Sequence, residues 1–287
     1  GFSYTGTIGT TLGTWAAGGA LPAGRASHAG AGIQNAHLVF GGSCGPFSRD
    51  CTDHYNGSAW SAGGDGISDR WYTGGAGTEY AALHFGGHEE LYTDEYYGET
   101  WARAGAMITG RTVGLGAAGL QNAALAFGGG PAVSPALGIS CTEEYNGTSW
   151  AAGGAMNVGR QTVAGAGTQN AALATSGIPT LTCTEEYNGL TWATVNPLTT
   201  GRNQAGAAGL QNAAFLTGGA PNGCSCTEEY DGTNWSAGGA LGTGRYGVHN
   251  GGSGTLTAGI TSGGYNSAAG YAVGICTEEY TSYISSG

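Results

Sequence analysis

The chain contains no lysine. Its eight basic residues are all arginine, set against nineteen Asp and Glu, for a formal net charge of −11. A balance of that sign repels a phosphate backbone and argues against nucleic acid as a partner. Charge of either sign is scarce, at 9% of 287 residues. Long apolar runs are missing too: nothing approaches the roughly 18 consecutive apolar residues of a spanning helix, so membrane insertion is not expected. No initiator Met or signal peptide precedes Gly1-Phe2-Ser3-Tyr4, which reads as a processed product or a piece of a larger protein. Catalytic signatures are absent as well. There is no Gly-x-Ser-x-Gly elbow, Walker loop, His-Glu-x-x-His, Ser-x-Asp-x-Gly-x-x-Trp box, Cys-x-x-Cys or Cys-His metal spacing.

Glycine is abundant, with 60 residues. No Gly-X-Y period makes the chain collagen, and 40% hydrophobic content argues against disorder. A packed all-β protein with many tight turns remains, and an internal repeat specifies which one. Cys141-Thr-Glu-Glu-Tyr-Asn-Gly-Thr-Ser-Trp150 returns at Cys183–Trp192 and Cys226–Trp235, with looser copies at Cys51–Trp60 and Tyr92–Trp101. A sixth copy, Cys276–Tyr280, stops before its Trp, and the missing Trp15 begins the chain. One Arg follows each Trp by about ten residues: Arg25, Arg70, Arg111, Arg160, Arg202 and Arg245.

Residues 163–174 read as two short strands joined at a Gln-Asn turn, a pattern that recurs around Gln34, Gln121 and Gln211. Together with the Thr-Glu-Glu-Tyr strand and the Trp strand, each repeat supplies four strands, the content of one propeller blade. The whole chain, 1–287, is therefore expected to be a single all-β domain, a six-bladed β-propeller. The segment around Trp15 should become the outer strand of the last blade and close the ring.

The order of marks is an Arg before strand one, Gly-Gly after strand two (Gly41-Gly42, Gly86-Gly87, Gly128-Gly129, Gly218-Gly219, Gly263-Gly264, with Ser176-Gly177 departing), an acidic-x-Tyr strand and a Trp strand. It resembles the kelch repeat. That resemblance implies a propeller that binds partners, a minority of kelch proteins being copper oxidases. The wording Thr-Glu-Glu-Tyr-Asn-Gly-Thr-Ser-Trp with Gly-Ala-Gly-Thr-Gln-Asn also resembles repeats in tail-fibre and other structural proteins of marine bacteriophages. This implies a virion-surface or extracellular location, several copies, and partners among virion or surface proteins.

Strand three carries an acid at its third position in every copy: Asp53, Asp94, Glu143, Glu185, Glu228 and Glu278. Six acids match six arginines, so a ring of structural ion pairs is expected. The next position holds Glu95, Glu144, Glu186, Glu229 and Glu279, with His54 in the first copy. Equivalent positions on different blades do not converge, so these read as solvated or backbone-bonded carboxylates, with no metal or cofactor. Cys51, Cys141, Cys183, Cys226 and Cys276 share one position and read as small buried hydrophobes. Cys44 and Cys51 are the pair placed to close a local loop, whereas Cys224 looks too near Cys226.

The segments after Gly-Gly, at 43–50, 88–91, 130–140, 178–182, 220–225 and 265–275, differ from repeat to repeat. They should emerge on one face together with the connections from strand four to the next strand one. Phe47, Arg49, His88, Leu137, Tyr265 and Tyr271 give that face its candidate binding residues for a host-surface receptor or glycan. The alternative is a polysaccharide-acting propeller enzyme. The repeat leaves eight carboxylates without a role, at Asp50, Asp65, Asp69, Glu79, Glu89, Glu90, Glu99 and Asp231.

Overall fold

A computed structural model describes residues 12–44, 47–48, 50–88, 91–131, 138–248, 252–266 and 272–282. Its strands fall into six antiparallel sheets of four and two short hairpins, Ser43–Cys44 with Phe47–Ser48 and Tyr265–Asn266 with Ala272–Val273. Blade I comprises Ala29–Ile33, Ala36–Phe40, Thr52–Tyr55 and Trp60–Ala62. Blade II comprises Gly74–Gly77, Ala82–Phe85, Thr93–Tyr96 and Trp101–Arg103. Blade III runs through Gly116–Leu120, Ala123–Phe127, Thr142–Tyr145 and Trp150–Ala152, and blade IV through Ala164–Thr168, Ala171–Thr175, Thr184–Tyr187 and Trp192–Val195. Blade V has Gly206–Leu210, Ala213–Thr217, Thr227–Tyr230 and Trp235–Ala237. Blade VI takes Gly252–Thr255, Ala258–Ser262 and Thr277–Thr281 from the C-terminal region and Thr14–Ala17 from the N-terminal one. Trp15 stands opposite Tyr280 in that last pairing. The ring closes as the sequence implies, leaving no unpaired edge on Thr277–Thr281.

The first strands meet around the axis, and their composition follows from crowding. The residues that line the axis are Gly and Ala, with Ser253 in blade VI, because little room exists for more: a Cβ on Gly165 would lie 2.3 Å from the Ala117 carbonyl oxygen of the neighbouring blade. Before each turn into strand two a single glycine adopts a left-handed φ, at Gly32, Gly77, Gly119, Gly167, Gly209 and Gly254, where a side chain would be strained. These strands enclose a cavity of about 140 Å³.

Aromatic residues fill the spaces between blades. In every blade the Trp of strand four leans over the Tyr of strand three, with ring centroids 4.8–5.1 Å apart. Phe40, Phe85 and Phe127 then meet the next blade's Trp101, Trp150 and Trp192, each at 5.0 Å. Such pairs contribute about 0.5–1.5 kcal/mol beyond burial alone.

Two expectations about cysteine are corrected. The recurring position is not a buried one: Cys141, Cys226 and Cys276 are exposed, and Cys51 and Cys183 are half-buried. The residue stands just before strand three, outside the sheet, and what the fold uses there is its backbone. The carbonyls of Cys51, Cys141, Cys226 and Cys276, and of Tyr92 in blade II, accept from the blade's Arg. Cys51 is a free thiol, so the Cys44–Cys51 bond is not formed, and the disulfide joins Cys224 to Cys226, with Cα atoms 5.2 Å apart. That separation lies inside the range a disulfide requires.

Candidate functional site

Arginine from the connection between blades reaches back to strand three of its own blade. The pairs are Arg25–Asp53, Arg70–Asp94, Arg111–Glu143 (2.8 Å), Arg160–Glu185 (2.6 Å), Arg202–Glu228 and Arg245–Glu278. All twelve residues are buried. The carboxylates also accept from loop backbone: Ile108 and Thr109 N–H donate to Glu143, and Asn157 N–H donates to Glu185. Each pair thus fastens a connecting loop onto its blade. With their oxygens occupied in this way, these acids hold the fold together.

The neighbouring Glu position corrects a second expectation. Side chains alternate along a strand, so in Thr142-Glu143-Glu144-Tyr145 the Glu and Tyr at 143 and 145 face the preceding blade while Thr142 and Glu144 face the following one. Tyr145 donates to Glu95 (2.9 Å), Tyr187 to Glu144 (2.6 Å), Tyr230 to Glu186 (2.8 Å), Tyr280 to Glu229 and Tyr55 to Glu279 (2.6 Å). Burial, and then the bond to the carboxylate, pushes the phenols of Tyr55 and Tyr187 up to about 12. Every strand-four Trp Nε1 likewise donates to the preceding blade's Thr, as Trp192 does to Thr142 at 2.9 Å. In four seams a Gln from the turn between strands one and two adds two bonds to carbonyls of the preceding blade, as Gln121 does to Ala82 and Tyr96.

One seam departs. Between blades I and II the strand-three acid is His54 and the turn Gln is Glu79, so acid and partner have changed sides. His54 Nδ1 lies 3.0 Å from Glu79 and Nε2 lies 2.8 Å from the Tyr96 hydroxyl. Tyr96 passes a 2.7 Å bond to the Gly98 carbonyl. Tyr80, in the place of the turn Asn, stacks on His54 with centroids 5.5 Å apart and planes at 29°. The nearby Glu79 charge, and then a hydrogen bond to Glu79, push the Tyr80 phenol up. His54, Glu79 and Tyr80 line a pocket of about 670 Å³ that also receives Asn56, Ser61 and Glu99. Of the eight carboxylates without a role in the repeat, Glu79 and Glu99 meet here. A sequence signal existed: His54 and Glu79 are the positions where this repeat exchanges Glu for His and Gln for Glu.

On the loop face, isolated bridges such as Ala26 to Ser43 and Tyr246 to Tyr265 tie each variable segment to a connection between blades, in five blades. Tyr265 stacks on Tyr246 (5.3 Å) and its hydroxyl lies 3.0 Å from Ser43 Oγ. Tyr72, whose phenol burial pushes up, bonds Ser27 beside Tyr265. His88 is exposed and lies 4.1 Å, ring to ring, from Trp71. Phe47 is placed only by its backbone, opposite Cys44 in a short hairpin. Arg49, Leu137 and Tyr271 lie outside the described residues. The aromatic set is therefore Tyr265 and His88 together with Trp71, Tyr72 and Tyr246, which sequence reasoning missed because they sit in the connections and not in the variable loops.

The remaining described histidines serve the interior. His37 is fully buried, donates from Nδ1 to the Ala31 carbonyl (3.0 Å), and is lowered by burial to about 4. A folded-state value below the unfolded one near 6.5 means that protons favour the unfolded chain. Its contribution is complete above pH 6.5 and is lost as pH falls toward 4. Between pH 7 and 4.5 the parent should lose about 2–3 kcal/mol more stability than His37→Gln. Urea unfolding of both proteins at the two pH values checks this, and parallel losses would show that His37 is already charged in the folded state. His84, held well below its ordinary value by burial and then by Arg70 and Arg103, is common to both proteins and cancels.

Asp50, Cys51 and Asp65 bring ligand atoms within 4.8 Å of one another, on a half-buried to exposed surface. Compared with known proteins, the chain matches no family model and no curated protein.

Proposed function

We propose that this propeller is a non-catalytic recognition or adhesion module that reads a host-surface receptor or glycan through its loop face. The observation that carries the reading is the aromatic cluster there, Tyr72, Tyr246 and Tyr265 with the Trp71–His88 stack, in which Tyr265 and His88 come from the segments that differ between repeats and the others from the connections between blades. Half-buried aromatic rings present a rigid apolar face beside a polar tip, the combination that anchors protein partners and stacks on sugars. The likeness of the repeat wording to kelch and to phage tail-fibre repeats supports display on a virion fibre or another extracellular surface. There several copies would turn weak single contacts into firm attachment.

A second reading, a polysaccharide-acting enzyme, has one observation in its favour: Glu79 and Glu99 line a single pocket. A glycan array with purified protein separates the two. Retention of intact glycans supports recognition, and their shortening supports the enzyme. On any ligand whose retention is unaffected by Tyr80→Ala, Tyr265→Ala and Trp71→Ala should each weaken binding by about tenfold or more. Parent-like affinity in both variants would remove the loop face from consideration.

A further inference from the structure

The seam between blades I and II differs from the others in composition, hydrogen bonding and shape, and the difference is coordinated. In the other seams where a Tyr meets the strand-three acid, that carboxylate is occupied by the incoming phenol. Here the exchange of Glu for His at 54 and of Gln for Glu at 79 turns the polar groups toward a pocket of about 670 Å³. That volume falls within the roughly 300–1,000 Å³ of small-ligand sites. We propose that this pocket binds one uncharged pyranose unit of a glycan, stacked on Tyr80 and hydrogen-bonded by Glu79, Glu99 and Asn56. The site is separate from the loop face and does not rest on the function proposed for it.

The chemistry of the lining selects this ligand class. Tyr80 is 63% exposed, with His54 stacked on its ring. Its remaining exposed surface offers the flat apolar patch that the C–H face of a pyranose covers. Glu79 is already contacted by His54 Nδ1 and bonded by the Tyr80 hydroxyl, and a carboxylate offers about four lone-pair sites, so its remaining ones and those of Glu99 suit a ligand that donates, as hydroxyl groups do. Asn56 supplies the complementary donor. Its Oδ1 is taken by Ser58 N–H, Ser58 Oγ–H and Ala59 N–H, which leaves the amide N–H groups for a ligand oxygen. Ser61 adds a hydroxyl that serves in either role. An anionic sugar would meet two carboxylates on a chain of net charge −11. A simple amine would satisfy the carboxylates but would leave Asn56 and the Tyr80 ring unused.

Saturation-transfer NMR titrations of the purified protein with methyl β-D-galactoside, methyl β-D-glucoside and methyl α-D-mannoside test this. Methyl β-D-glucuronide and n-butylammonium serve as the charged probes. At least one neutral glycoside should bind saturably, and the glucuronide should bind about tenfold more weakly or worse. Tyr80→Ala should lower the affinity by about tenfold and Glu99→Gln by several-fold, with melting temperatures unchanged because both side chains are exposed. Tyr265→Ala should leave glycoside binding intact, which separates this site from the loop face. Absence of transfer to all three neutral glycosides would overturn the proposal. So would parent-like binding by Tyr80→Ala, or saturable binding of n-butylammonium alone.

Discussion

Arg160→Ala is expected to lower the free energy of unfolding by about 3–5 kcal/mol, the cost of leaving a buried charge without its partner. Arg160 and Glu185 are both fully buried and 2.6 Å apart, and Arg160 also donates to the Ala174 carbonyl. Removing the guanidinium leaves the Glu185 carboxylate with the backbone N–H groups of Asn157 and Val158 and the Cys183 thiol, none of them charged. Glu185→Ala should cost as much, because it strands Arg160 in the same interior. The informative variant is the double replacement Arg160→Met with Glu185→Leu. With both charges gone and the volume kept, it should be less destabilised than the sum of the single replacements, since nothing charged remains to be desolvated. Urea unfolding with unchanged slope checks all three. If the single replacements unfolded at the parent midpoint, the pair would be hydrated in solution, and Glu185 would become a candidate for chemistry.

Removing residues 1–17 should be still more damaging, because it takes away the outer strand of blade VI. Thr14–Ala17 is the only cover on the edge of Thr277–Thr281 among the described residues, and it brings Trp15 onto Tyr280 (4.8 Å) and Phe215 (5.7 Å) with a 2.9 Å bond to Thr227. Its loss breaks the seam between blades V and VI and uncovers a strand edge able to pair with other molecules. The truncated chain should melt well below the parent and aggregate on heating. Trp15→Ala, which keeps the strand and loses the ring, should cost about 3 kcal/mol. A truncated protein with the parent melting curve would show that the ring is held closed without this strand.

Much of the architecture was legible because the chain aligns with itself. Six copies of one strand pattern locate the blades, and the Gln-Asn turns locate the hairpins between strands one and two. The Trp missing from the last copy and present at Trp15 locates the closure. The match of six Arg to six acids identified groups that need each other in a dry interior, although the count alone did not say that Glu143 belongs to Arg111 and Glu185 to Arg160. The cysteine reading failed for a local reason. Recurrence of a residue does not by itself imply a use for its side chain, and here the fold uses the carbonyl at that position to hold an Arg.

The sequence by itself determined the number of blades, the strands within each and the way the ends meet. These follow from a period of two along each strand and a period near 44 along the chain, both written in the order of residues. Tertiary structure alone decided which side chains face each other between blades. Tyr187 finds Glu144 at a sequence separation of 43, and Tyr55 finds Glu279 at 224. The offset of one twisted sheet against the next sets those meetings, and no periodicity within a blade encodes that offset. For the same reason His54 and Glu79, each an isolated exception in its own repeat, became a matched pair only when blades I and II were packed together.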